Sequence, residues 1–201
     1  MRTTLAERGR RAAILLLALL PAALLPLPAA AQAFDLPALM ALLAQRKSAE
    51  ARFTEERTVS SLDTPLYSRG TLSFAAPDRF TRVQTEPRTE SMEVQGDTAI
   101  LKRGGRTRTM ALNTIPELAA LVDAVRGTLS GDAARLQRHF KTEVTGAPTR
   151  WQLALVPIDA RLAAQVARID IVGQRTDVRS IDLRLAGGDR SLMQVEPVAG
   201  R

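Results

Sequence analysis

The sequence predicts an α+β fold: a curved antiparallel sheet of about eleven strands under a lid of short α-helices. Three observations carry that expectation. Successive segments alternate apolar and polar residues with a period of two. Turn residues such as Pro77-Asp78, Gly96-Asp97 and Gly104-Gly105 join many of them closely enough to require antiparallel neighbours. Apolar residues recur at helical spacing in just two longer stretches.

The first helix is expected after Asp35, a suitable N-cap, with Leu36, Leu39, Met40 and Leu43 on one stripe. Phe34 and Leu39 have the spacing of a hydrophobic staple, and the helix should fade near Gln45 to Ser48. From Glu50 to Leu112 the period becomes two. The segments "ARFTEERTVS", "LYSRGTLSFAA", "RFTRVQT", "TESMEVQ", "TAILK" and "RTRTMAL" read as a meander. A helical interruption follows, in which Thr114 and Glu117 have capping-box spacing and Leu118, Leu121, Val122 and Val125 form the stripe. Gly127 and Ser130 to Asp132 are expected to break it, with Asp132 capping a shorter helix that ends near Phe140. Strands then resume in "KTEVT", "WQLALV", "RIDIV", "VRSIDLRL" and "SLMQV", with a brief helical turn in "DARLAAQVA".

Residues 1–33 read as a cleavable signal peptide. A basic start with Arg2, Arg8, Arg10 and Arg11 precedes an apolar run broken by Pro21, Pro26 and Pro28, and Ala31-Gln32-Ala33 is a small-x-small exit. Residues 34–201 then form a single domain, since no linker long enough to divide it is present. Removing the leader takes four arginines and one glutamate with it, lowering the formal net charge from +7 to +4. A nucleic-acid partner loses most of its footing with them. The chain has no cysteine, so neither a disulfide nor lipid attachment at a cysteine after the leader is expected. The expected location is the periplasm, without a lipid anchor, and the expected state is a monomer.

Chemistry is sparse. His139 is the sole histidine and has no cysteine to share a metal with, so no metal or cofactor is expected. "GTLSG" misplaces its serine for a nucleophile elbow, and no phosphate-binding loop is present. Glu55 and Glu56 fall on opposite faces of a strand and cannot share a substrate. No enzyme is expected.

A sheet this large must curl, and the concave face must be covered. Phe53, Leu72, Phe74, Met92, Val94, Leu153 and Leu155 face one way along their strands. The few helices can close the mouth of such a trough more easily than fill it, which leaves apolar space for a lipid. The same residues also suit an ordinary packed core. In the lipid reading the stripe Leu118, Leu121, Val122 and Val125 serves both as lid core and as acyl contact. Burial of about sixteen carbons would be worth on the order of 10 kcal/mol, so release requires the lid to move. Lys102, Arg103, Arg106 and Arg108 surround a hairpin tip and are expected either to stay solvated or to touch anionic headgroups or an acidic partner.

The order of elements, with "ARFTEERTV", "GTLSFAAPDRF" and "VQGDTAIL" among them, resembles the periplasmic outer-membrane lipoprotein carriers of LolA type. The resemblance implies an unclosed β-barrel cupping the acyl chains of a lipoprotein. It also implies an inner-membrane exporter that supplies the cargo and an outer-membrane receptor that accepts it. That family often carries a basic residue before the turn proline to fasten the lid; here the place is Ala76, and Arg79 or Arg82 are the expected substitutes. The family's cup is rich in aromatics, whereas this chain is 3% aromatic, so another envelope lipid is an alternative cargo. A packed protein-interaction module without lipid is the second alternative.

Overall fold

In a computed structural model, residues 34–198 are described; the expected signal peptide lies outside them. Helix α1 (Leu36–Leu43) opens the chain. Six strands follow as β1 (Ser48–Thr58), β2 (Leu66–Ala75), β3 (Arg79–Glu86), β4 (Glu90–Gln95), β5 (Thr98–Arg103) and β6 (Arg106–Ala111). Helices α2 (Pro116–Ser130) and α3 (Ala133–Gln137) interrupt the sheet. The chain returns through β7 (Phe140–Ala147), β8 (Arg150–Pro157), a short α4 (Ala160–Ala163), β9 (Val166–Gln174), β10 (Asp177–Leu185) and β11 (Arg190–Pro197).

All eleven strands form one antiparallel sheet in the order β6-β5-β4-β3-β2-β1-β11-β10-β9-β8-β7. The first and last strands pair in the middle, with Phe53 opposite Val195. The edges β6 and β7 do not pair with each other, so the barrel is unclosed. The predicted fold class is the one observed.

The helix ends show what local chemistry decides. Asp35 accepts from the Ala38 amide at 3.0 Å, as an N-cap should. Asp132 does the same for α3 through Arg135 N at 3.0 Å. The capping box expected at Thr114 is not formed. Thr114 ends a 3₁₀ turn, its hydroxyl donates to Ala111 O, and α2 starts at Pro116, whose ring is preset for the first helical position. Gly127 does not break α2 either. A Cβ there would come within 2.8 Å of Leu136, so the glycine lets α3 pack against α2. The helix stops within the expected Ser130 to Asp132 break, at Gly131, which takes a left-handed φ of 71°.

Two separate cores result. The larger lies beneath α1, α3 and α4, where Leu39, Leu43, Leu136, Leu153 and Leu155 are buried with Trp151. Trp151 donates from Nε1 to Arg175 O at 2.9 Å, and its ring lies where any Cβ on Gly173 would be, 2.0 Å away. The smaller core joins Val94, Ala99 and Leu112 to Val122 of α2. Helix α2 bridges the two, and the sheet between them is not filled.

Candidate functional site

Between the two cores, α2 roofs a partly open apolar cavity of about 310 Å³. Its roof is Leu121, Ala124, Val125, Thr128 and Leu129, and Leu43 of α1 closes one end. The floor comes from both halves of the sheet: Ala51, Leu72, Phe74, Phe80 and Met92 on one side, Ile169, Ile171, Ile181 and Met193 on the other. Strand alternation explains this. Register places Ala51 opposite Leu72, Leu72 opposite Arg82, and Arg82 opposite Met92, so one row of side chains crosses the concave face. The lining on β1 runs from Ala49 to Arg57, a length of about 26 Å at about 3.3 Å per residue.

Five of the expected lipid contacts, Leu72, Phe74, Met92, Leu121 and Val125, line this cavity. The others lie elsewhere. Leu153 and Leu155 belong to the larger core, Val94 and Val122 to the smaller one, and Leu118 packs against the smaller. Phe53 is buried under a cation, with the Arg82 guanidinium 4.5 Å from its ring centroid.

At one end the lining turns polar, with Glu55, Arg57, Arg82 and Ser191. Glu55 is buried on the cavity face, whereas Glu56 is exposed on the other. Arg82 donates to Glu55 Oε2 at 2.6 Å, Ser191 donates to Oε1 at 2.6 Å, and Ser68 donates to Oε2 at 3.1 Å. Burial by itself would raise the carboxyl's pKa. The Ser191 hydroxyl, the Arg82 and Arg57 guanidiniums and the Ser68 hydroxyl outweigh it and hold Glu55 below its ordinary value. At the other end Arg46 meets Asp177 at 2.8 Å.

The two arginines expected to fasten the lid are engaged within the sheet. Arg82 serves Glu55, and Arg79 donates to Gln95 at 2.9 Å. The helix is fastened from its own side, by Arg126 of α2. That side chain is 3% exposed; it donates from Nε and Nη2 to Asp78 O at 3.0 and 2.7 Å, and from Nη2 to Gly96 O at 2.7 Å. Both acceptors lie at turns of the sheet, β2–β3 and β4–β5. The signal was an arginine four residues beyond Val122, on the buried stripe itself. Burial pushes the Arg126 guanidinium down from its ordinary value, against the pull of Asp78. On its flank, Asp123 ties α2 to the end of α3, accepting from Arg135 at 2.9 Å and contacting His139 Nε2 at 3.1 Å.

Lys102, Arg103, Arg106 and Arg108 are all exposed on the β5–β6 hairpin. Among the described residues no cluster could hold a metal ion, and no helix is long and apolar enough to cross a membrane.

Over residues 28–198 the sequence matches the family described as outer membrane lipoprotein carrier protein LolA-like. The chain belongs to that family. No curated protein matches it significantly in sequence. Solved structures similar to this LolA-like chain include a LolA superfamily protein from Nitrosomonas europaea, at 9% identity and TM-score 0.43, covering 81% of this chain and 91% of that one. The Pseudomonas aeruginosa MucA/MucB complex is similar at 18% identity and TM-score 0.36, covering 83% of this chain and 58% of that one. LprF from Mycobacterium bovis is similar at 8% identity and TM-score 0.30, covering 83% and 94%.

Proposed function

We propose that this LolA-like protein is a non-enzymatic periplasmic carrier that holds an acyl chain of an envelope lipid or lipoprotein between α2 and the concave sheet. The single observation that carries this reading is the apolar cavity of about 310 Å³ left between two packed cores. Space of that kind is costly to leave empty, and its lining offers a hydrocarbon tail dispersion contacts that water cannot replace. Its volume lies at the small end of the usual range of about 300–1,000 Å³ for ligand sites. That favours one tail in the closed form over the several tails of a fully acylated lipoprotein. A larger cargo requires α2 to lift, and Arg126 is the fastening that resists it. The leader expected at residues 1–33 supports export, and membership of the LolA-like family supports transfer between the two membranes.

Native mass spectrometry of gently purified mature protein, followed by lipid extraction, tests the proposal. It predicts an acyl-bearing adduct, either a lipoprotein or a smaller lipid. A bare chain that takes up no acyl probe after incubation would contradict it.

A further inference from the structure

The basic hairpin tip is not one patch, because the strand pairing divides it between the two faces of the sheet. Met92 pairs with Leu101, Leu101 with Arg108, and Arg103 with Arg106. Side chains directly opposite in register share a face. Arg103, Arg106 and Arg108 therefore stand on the concave face, Arg108 in the row of Leu72 and Met92 on the cavity floor and the other two in the next row, while Lys102 stands on the convex face opposite Thr107.

Spacing brings the three guanidiniums within reach of one group. Arg103 and Arg106 are directly paired, and Arg108 lies two residues on, about 7 Å along the strand. Glu90, opposite Arg103, bridges it at 2.8 Å and offsets one charge. Arg106 and Arg108 have no ion-pair partner among the described residues. Inward from Arg108 the next side chains in the row are Leu101 and then Met92, which lines the cavity. Two strand spacings separate Arg108 from Met92, about 10 Å. Met92 and Leu101, both half-buried against the smaller core, thus form a short apolar row between the cavity and Arg108.

We infer that Arg103, Arg106 and Arg108 form the headgroup site of the cargo, so that the protein selects an anionic, phosphate-bearing amphiphile whose tail lies in the cavity. This rests on the lipid reading of that cavity and adds the chemistry of the polar end. The exposed tip is thereby part of cargo recognition, with charge placed where a desolvated tail gives way to a hydrated head.

The test uses two lysophospholipids of equal tail length, one with a bare phosphate head and one with a zwitterionic phosphocholine head, displacing a fluorescent fatty acid from the mature protein. The wild type should prefer the phosphate head by roughly tenfold at low salt, and less at high salt. The combined variant Arg103→Gln, Arg106→Gln, Arg108→Gln should lose that preference, its affinity falling much further for the phosphate head than for the zwitterionic one, while Lys102→Gln should keep it. Inorganic phosphate at matched ionic strength should not displace the tail, which separates a lipid head from a free anion. Equal affinity for the two heads in the wild type, or a preference that survives the triple variant, overturns the inference alone. Loss of preference in Lys102→Gln as large as in the triple variant does the same. Failure of both lipids to bind overturns the cavity reading and this one with it.

Discussion

Arg126→Met is the sharpest perturbation of the lid. Methionine keeps the aliphatic stem in place and removes only the guanidinium. Three hydrogen bonds to two carbonyls are lost, those of 3.0 and 2.7 Å to Asp78 O and that of 2.7 Å to Gly96 O. Hydrogen bonds from a charged donor contribute about 1.5–3 kcal/mol each, and here two share one acceptor. Water can rehydrate part of what is left. A loss of about 3 kcal/mol in unfolding free energy is expected, read by urea denaturation followed by circular dichroism. Because the same bonds hold α2 on the sheet, exchange of a fluorescent fatty acid should accelerate by as much as about a hundredfold, at about 1.4 kcal/mol per decade. Arg126→Lys should recover part of the stability, since an ammonium reaches one carbonyl well but cannot span two turns. Stability within about 0.5 kcal/mol of wild type, with unchanged exchange, would refute the assignment of Arg126 as the fastening of the lid.

Val125→Trp adds an indole to the roof of the cavity. It should weaken acyl-probe binding at least about tenfold while changing stability by less than about 1.5 kcal/mol, because the space to receive it exists; titration and denaturation on one sample separate the two effects. Glu55 has a folded pKa below its unfolded value. Its contribution is thus fully present above about pH 4.3, the unfolded value, and is lost as pH falls through the folded one. Glu55→Gln should flatten the acid limb of the stability curve, and an unchanged limb would show the buried pair to be uncoupled from folding. Gly173→Ala should destabilise by about 2–3 kcal/mol, because the new methyl would occupy the Trp151 ring position 2.0 Å away; a Trp fluorescence spectrum and unfolding midpoint equal to wild type would contradict it.

The strands were legible in the sequence because a half-buried strand must alternate. Leu72 and Phe74 announce their face regardless of context, and each strand segment found a partner in the sheet. Which apolar rows lie under helix and which under empty space was not legible. Leu153 alternates as clearly as Leu72, yet α1 and α3 pack over the first and nothing fills the space above the second. The far floor, Ile169, Ile181 and Met193, could not be singled out either. Its meeting with β1 depends on closing the first strand against the last, a long-range pairing without a local mark. Arg126 hid in its residue type. Arginine is usually solvated, and its place on the stripe beyond Leu118 and Val122 was the one sign that it is buried. Thr114 and Glu117 had capping-box spacing, but Pro116 between them decided the start of the helix.

A crystal structure of the mature protein with a bromine-tipped fatty acid addresses the cavity most directly. Anomalous density for bromine among Leu72, Met92, Leu121 and Val125, with α2 in place above it, is the expected result. A molecule in which Leu121 and Leu129 have collapsed onto the sheet, leaving no room there and bromine only at the surface, would contradict the carrier account.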